Sequence, residues 1–171
     1  MIVTLTGYMG SGKSTVGEKL ARLLGCEFID LDRYIEDKTG RTIPDIFAKD
    51  GEKVFRAIEA EALRDLIVMH QLTDKDLVLA LGGGTVMTVP LRELIFKQTK
   101  CVWLKADVSQ LISRVGRGSG RPLADSNFEA RLHERESVYA MASITIDTDG
   151  LSPDQVAMLI ESELKKSTHD E

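Results

Sequence analysis

The residues Gly7-Tyr8-Met9-Gly10-Ser11-Gly12-Lys13-Ser14 fit the pattern G-x-x-x-x-G-K-S at every fixed position. Each part of that pattern has a task at a phosphate. The glycines let successive backbone N–H groups curl around an anion, the lysine reaches the outer phosphates, and the serine hydroxyl is placed to ligate Mg²⁺. The flanks agree with this: an apolar run, Ile2-Val3-Thr4-Leu5-Thr6, precedes the loop and an amphipathic helical pattern follows it. The N-terminus of that helix adds its partial positive charge to the cradle. Gly10, Ser11, Gly12, Lys13, Ser14 and Thr15 are therefore the candidate contacts to ATP.

Switches, motors and kinases share such a loop. No Asn-Lys-x-Asp stretch is present with which a switch would read guanine, and 171 residues leave no room for a motor or helicase core. A small-molecule phosphotransferase remains, and it needs an acceptor side. The run Phe28-Ile29-Asp30-Leu31-Asp32 ends in two acids, which period-2 geometry would place on the same side of a strand at its carboxyl end. There Asp30 could hold a Mg²⁺ water, and Asp32 could orient or deprotonate an acceptor hydroxyl. The alternative is that both cap the helix opening at Arg33-Tyr34-Ile35. Leu81-Gly82-Gly83-Gly84 is either a place where backbone approaches a ligand closely or a simple tight turn.

The elements that must position these groups read as α/β with a parallel sheet. Strand-like runs recur at Ile2 to Thr6, Glu27 to Leu31, Leu77 to Leu81, Lys100 to Lys105 and Ser143 to Asp147, with helical patterns between them. The first helix shows Val16, Leu20, Leu23 and Leu24 on one face and stops at Gly25. The last opens on Ser152-Pro153-Asp154-Gln155, a capping box, ahead of Val156, Leu159, Ile160 and Leu164. A second box, Ser126-Asn127-Phe128-Glu129, opens a helix carrying Leu132, Arg135, Val138 and Tyr139, and the tail from Lys165 is expected to fray. One kinase domain spans 1–171: a core of 1–31, 72–111 and 142–165, and a helical insertion at 32–71 that walls a pocket, with a break around Arg41-Thr42-Ile43-Pro44. A glycine-rich basic loop, Gly116 to Pro122, suits a lid at about 112–127.

Charge and composition exclude other classes. Twenty-two basic against 27 acidic residues give a net charge of -5, which disfavours nucleic acid and anionic membrane as partners. No apolar run approaches the length of a membrane span and no basic leader precedes the first strand, so a cytoplasmic protein, and a monomer, is expected. Cys26 and Cys101 are expected to be reduced thiols used as small core residues.

The loop Gly7 to Ser14, the acids Asp30 and Asp32, Phe55-Arg56, Gly82-Gly83-Gly84 and Arg121-Pro122-Leu123 occur in an order and spacing that resembles shikimate kinase along nearly the whole chain. The resemblance implies a domain of the nucleoside monophosphate kinase type, with a five-stranded parallel sheet. It implies transfer of the γ-phosphoryl of ATP to the 3-hydroxyl of shikimate, with Mg²⁺. By the same resemblance Asp32 binds ring hydroxyls and acts as base, and Arg56 and Arg135 bind the acceptor carboxylate. Gly83 offers a backbone N–H, Arg121 closes over the transferring phosphate, and Arg114 lies near adenine. The chain departs from the family pattern at Ala124-Asp125 after the lid, at Arg135-Glu136-Ser137-Val138-Tyr139, which lacks the usual proline, and at Thr148-Asp149-Gly150, which lacks an adenine-stacking arginine. A kinase for another sugar acid such as gluconate, or a nucleotide-binding regulator without phosphotransfer, are the competing readings.

Overall fold

The structure, a computed structural model, describes residues 1–107, 109–111 and 128–169. In chain order these form β1 (Ile2–Thr6), α1 (Lys13–Leu24), β2 (Glu27–Asp30), α2 (Leu31–Thr39), α3 (Ile43–Thr73), β3 (Leu77–Ala80), a 3₁₀ turn (Thr85–Met87), α4 (Val89–Gln98), β4 (Lys100–Lys105), α5 (Phe128–Tyr139), β5 (Ile144–Asp147) and α6 (Pro153–Ser167). The strands make one sheet in the order β2-β3-β1-β4-β5, and every neighbouring pair is parallel.

Alternation along the strands explains the two layers of helices. Val3, Leu5, Val78, Val102, Leu104, Ile144 and Ile146 face one side and are buried with Val16, Leu20, Ala21, Val156, Ile160 and Leu164 of α1 and α6. Ile2, Leu77, Leu79, Cys101 and Trp103 face the other, where α2, α3, α4 and α5 supply Ile35, Leu63, Leu66, Leu91, Ile95 and Tyr139. Parallel strands covered on both faces are the expected arrangement for right-handed βαβ crossovers.

Several local expectations need correction. The second strand stops at Asp30, and Leu31 already begins α2, because the Asp30 side chain accepts from the Arg33 N–H at 3.2 Å and so caps the helix. Leu23 and Leu159 do not join the core; they are 47% and 43% exposed, and Ala21 and Ala157 take the inward positions. Cys101 is buried but Cys26 is only half-buried. The last helix continues through Lys165 and Lys166 to Ser167, where Lys165–Glu161 and Lys166–Glu163 pairs brace its final turn. The Ser152 capping box forms with both reciprocal bonds, and Gly25 takes the left-handed conformation that ends α1. The second box and the lid segment lie outside the described residues, apart from the start of α5 at Phe128.

The insertion breaks where Arg41 to Pro44 predict it, between Thr39 and Ile43. Thr42 caps α3 by accepting from the Asp45 N–H, and Glu36 accepts from the Ile43 N–H at 2.8 Å. A further break is at Gly51, whose φ of 85° and ψ of 171° interrupt α3. That left-handed angle is open to glycine alone without strain. It separates a short arm carrying Ile43 and Phe47 from the long stretch carrying Arg56.

Candidate active site

Leu5, Ala80 and Asp30 lie in one row of the sheet, so the segments leaving β1, β3 and β2 emerge together at its carboxyl edge, where α/β sheets hold ligands. From β1 comes the phosphate loop. Gly10 and Gly12 have φ of 84° and 91°, angles that turn their N–H groups inward ahead of α1. Lys13 Nζ donates to the Gly7 and Tyr8 carbonyls at 2.7 and 3.1 Å, which holds its ammonium across the loop. Ser14 Oγ donates to Asp30 Oδ2 at 2.5 Å. Gly10, Gly12, Lys13, Ser14, Thr15, Asp30 and Asp32 line a cleft of about 550 Å³. Ser11 is buried inside the loop, and a neighbouring cavity of about 370 Å³ runs from it past Thr15 to Thr148 and Leu151.

Asp32 arrives by a different route from the one its sequence spacing predicts. It lies in the first turn of α2 rather than on a strand, and still meets Asp30 in the cleft because the capped helix turns its start over the edge of β3. Its carboxyl is pushed up to about 6, first by burial, then by the charges of Asp30 and Glu59, with Lys13 opposing. That brings it nearer neutrality than an ordinary carboxyl while leaving it ionised at pH 7, a suitable state for a base.

Beside this cleft, sharing residues with it, lies a smaller cavity of about 270 Å³. One side is apolar, formed by Ile43, Phe47 and Phe55; the other is polar, formed by Asp32, Arg56, Arg135 and the turn Gly82 to Gly84. Met9, Asp32, Gly82 and Gly83 line both this cavity and the phosphate cleft, so Asp32 is common to the two. The turn is made of glycine because side chains crowd it. A Cβ on Gly82 would come within 3.1 Å of Asp32 Oδ1, one on Gly83 within 3.3 Å of Arg135 Nη1, and one on Gly84 within 2.6 Å of Arg56 Nη2. The segment is a turn, closed by the Thr85 N–H donating to the Gly82 carbonyl at 3.2 Å, and the side chains packed against it leave room for glycine at all three positions.

Three residues that sequence reasoning did not assign hold this cavity in shape. Glu59 is fully buried and accepts from Arg56 Nη1 at 2.8 Å and from Thr85 Oγ1 at 2.9 Å. The i,i+3 spacing of Arg56 and Glu59 was a readable signal for the first contact; Thr85 comes from a distant segment and left none. Tyr139 reaches the turn from α5, its hydroxyl donating to the Gly83 carbonyl at 2.5 Å. Arg135, one turn earlier, lies with its guanidinium 5.1 Å from the centre of the Tyr8 ring. The described residues therefore bring together Lys13, Ser14, Asp30, Asp32, Arg56, Gly83 and Arg135. Arg114 and Arg121 lie outside them.

A phosphate loop sharing one carboxylate with an arginine-lined cavity, on a five-stranded parallel sheet, fits a P-loop kinase of a small acidic molecule. A sequence profile of the shikimate kinase family matches residues 9–165, and the shikimate kinase of Moorella thermoacetica is 40% identical over 95% of this chain and 94% of its own. The chain belongs to the shikimate kinase family, and its reaction is the ATP-dependent phosphorylation of shikimate. A shikimate kinase of Thermus thermophilus is 44% identical over 90% of this chain and 84% of its own. Among solved structures, shikimate kinase from Acinetobacter baumannii in complex with shikimate superposes with a TM-score of 0.85 at 38% identity, covering 97% of this chain and 93% of that one. Among the described residues no helix is long and apolar enough to cross a membrane.

Proposed function

We propose that the smaller cavity binds shikimate, with its carboxylate held by Arg56 and Arg135 and its 3-hydroxyl presented to Asp32. Forked guanidinium groups fix a planar carboxylate in orientation as well as position. The Gly83 N–H contributes a backbone contact, and the Ile43, Phe47 and Phe55 wall receives the apolar face of the ring. The observation that carries this reading is that Asp32 lines both the phosphate cleft and the smaller cavity, which would let a hydroxyl bound to it face the phosphate loop.

The Asp32 carboxylate takes the hydroxyl proton as the hydroxyl oxygen bonds to the γ-phosphorus, and the bond from that phosphorus to the β,γ-bridging oxygen breaks to release ADP. Lys13, and Arg121 from the lid at about 112–127, stabilise charge on the phosphoryl oxygens. Gly10, Ser11, Gly12, Ser14 and Thr15 hold the nucleotide, with Arg114 near adenine. The Ser14 hydroxyl against the Asp30 carboxylate fits the all-oxygen chemistry of Mg²⁺, with Ser14 as ligand and Asp30 acting through water. When bound, Mg²⁺ supplies charge neutralisation on the phosphates. Segment 32–71 is the acceptor-binding insertion of a single cytoplasmic domain that works as a monomer.

An acceptor panel read by coupled ADP release tests the proposal. Shikimate should turn over and gluconate should not. Turnover of gluconate alone would refute the acceptor assignment, and tight ATP binding with no ADP formed from any acceptor would replace the enzyme by a regulator. Arg56→Ala should raise the KM for shikimate far more than that for ATP; equal effects would remove the carboxylate from Arg56.

A further inference from the structure

The acceptor turn at 82–84 has no side chains of its own, so packing within it cannot set its shape. Its far end is tied down: Thr85 Oγ1 donates to Glu59, and Arg92 Nε donates to the Val86 carbonyl at 2.9 Å. Its centre is tied by the Tyr139 hydroxyl on the Gly83 carbonyl. Tyr139 is fully buried, its ring 5.9 Å from that of Trp103 on β4. A phenylalanine would fill that space equally well, so packing does not account for the hydroxyl. Burial pushes the phenol up to about 12, with the charge of Arg135 and its side-chain hydrogen bond to the phenol opposing, and at neutral pH the hydroxyl is a donor.

On helix α5, Arg131, His133, Glu134 and Ser137 are exposed, and Leu132 and Tyr139 are its buried residues among those whose side chains are described. These two bracket Arg135 at spacings of three and four residues, which puts all three on one stripe of the helix. The contact that fixes Gly83 therefore also fixes the helical turn from which Arg135 reaches the cavity.

We propose that Tyr139 is a positioning residue for shikimate: its hydrogen bond to the Gly83 carbonyl locks the acceptor turn to α5, presenting the backbone donor of the turn and the Arg135 guanidinium at one fixed separation. This rests on the assignment of Gly83 and Arg135 to the acceptor. Tyr139 touches no reacting atom, and it acts through binding.

Tyr139→Phe, purified alongside the wild type, tests the proposal. Loss of the buried hydroxyl, with its contacts to the Gly83 carbonyl and Arg135, should raise the KM for shikimate by roughly 3- to 10-fold, with kcat and the KM for ATP within about twofold and Tm within a few degrees. A fall in Tm with both KM values unchanged would show a structural role only and overturn it. Arg135→Ala separates the two layers of argument. If that variant leaves the shikimate KM unchanged, the acceptor assignment itself fails. If it raises the KM while Tyr139→Phe does not, the positioning role alone fails. In the Arg135→Ala background the tyrosine substitution should add less than it does alone, and full additivity would overturn the coupling. Should Tyr139→Phe not fold, the wild-type protein gives a second measurement through Trp103, the single tryptophan. Saturating shikimate without nucleotide should change its emission as turn and helix settle together, and unchanged emission would overturn the proposal.

Discussion

Replacing Gly84 by alanine would move one guanidinium and little else. The backbone there has φ of -99° and ψ of 0°, which alanine adopts without strain, and the added methyl shortens the list of unfolded conformations. Its Cβ would lie 2.6 Å from Arg56 Nη2, 3.3 Å from Cζ and 3.4 Å from Nη1, where ordinary contact begins at 3.4 Å. The head of Arg56 must therefore retreat by about 0.8 Å, the difference between those two distances. Because Nη1 belongs to the same rigid fork, its 2.8 Å bond to Glu59 is disturbed together with its reach into the cavity. Weakening one charged hydrogen bond to the acceptor is worth about 1.5 to 3 kcal/mol, so the KM for shikimate should rise roughly 10- to 150-fold. The KM for ATP should change by less than about twofold, because Gly84 lines the proposed acceptor cavity and is absent from the lining of the phosphate cleft. Steady-state kinetics with each substrate varied in turn, together with a thermal melt, decide the matter. An unchanged shikimate KM in a folded variant, or equal increases for both substrates, would refute the reasoning.

The elevated Asp32 carboxyl makes a paired prediction about Asp32→Asn. Its native pKa of about 6 lies above the ordinary 3.8, so the ionised form is disfavoured by folding, and stability present below about pH 4 is lost as pH rises through 6. The asparagine variant should melt above the wild type at pH 8, converge with it near pH 4, and turn over at least roughly 100-fold more slowly; equal melting at both pH values would contradict the burial effect. Ser14→Ala removes the hydroxyl that meets Asp30 and should raise the Mg²⁺ concentration for half-maximal rate by roughly tenfold, leaving the shikimate KM alone. An unaltered Mg²⁺ titration would take Ser14 out of the metal site. Gly17→Ala would press a Cβ into the Phe28 ring at Cε2 and bring it 3.3 Å from Leu5 Cδ1, an overpacking worth about 1 to 3 kcal/mol. Tm should fall by several degrees while both KM values hold, and a shift in either KM would show that the strain reaches the site.

What the sequence made legible is what is local. The phosphate loop, the strand before it and the cap of α6 each depend on residues within a few positions of one another, and each is where the pattern puts it. Asp32 shows how a sound placement can come from the wrong geometry: alternation on a strand predicted a shared side with Asp30, while the actual cause is a helix turn capped by Asp30 itself. Leu23 and Leu159 were misplaced because an apolar stripe read from one helix does not say how wide a face its neighbours will cover. The network through Glu59, Thr85 and Arg56 joins positions 26 residues apart, and no periodicity reports such a meeting. Tyr139 was visible as part of an apolar stripe, yet its hydrogen bond across 56 positions was not.

The sheet order carries one more consequence. Among the described residues β1 has a hydrogen-bonded partner on each side, whereas β2, which leads into Asp30 and Asp32, is paired with β3 alone. Loosening of such a sheet starts at its margins and reaches the middle last. If the acid binds at Asp32 as proposed, warming should loosen its site before that of the nucleotide, and the two ligands should protect the fold unequally, the one that staples the margin delaying the first step of collapse.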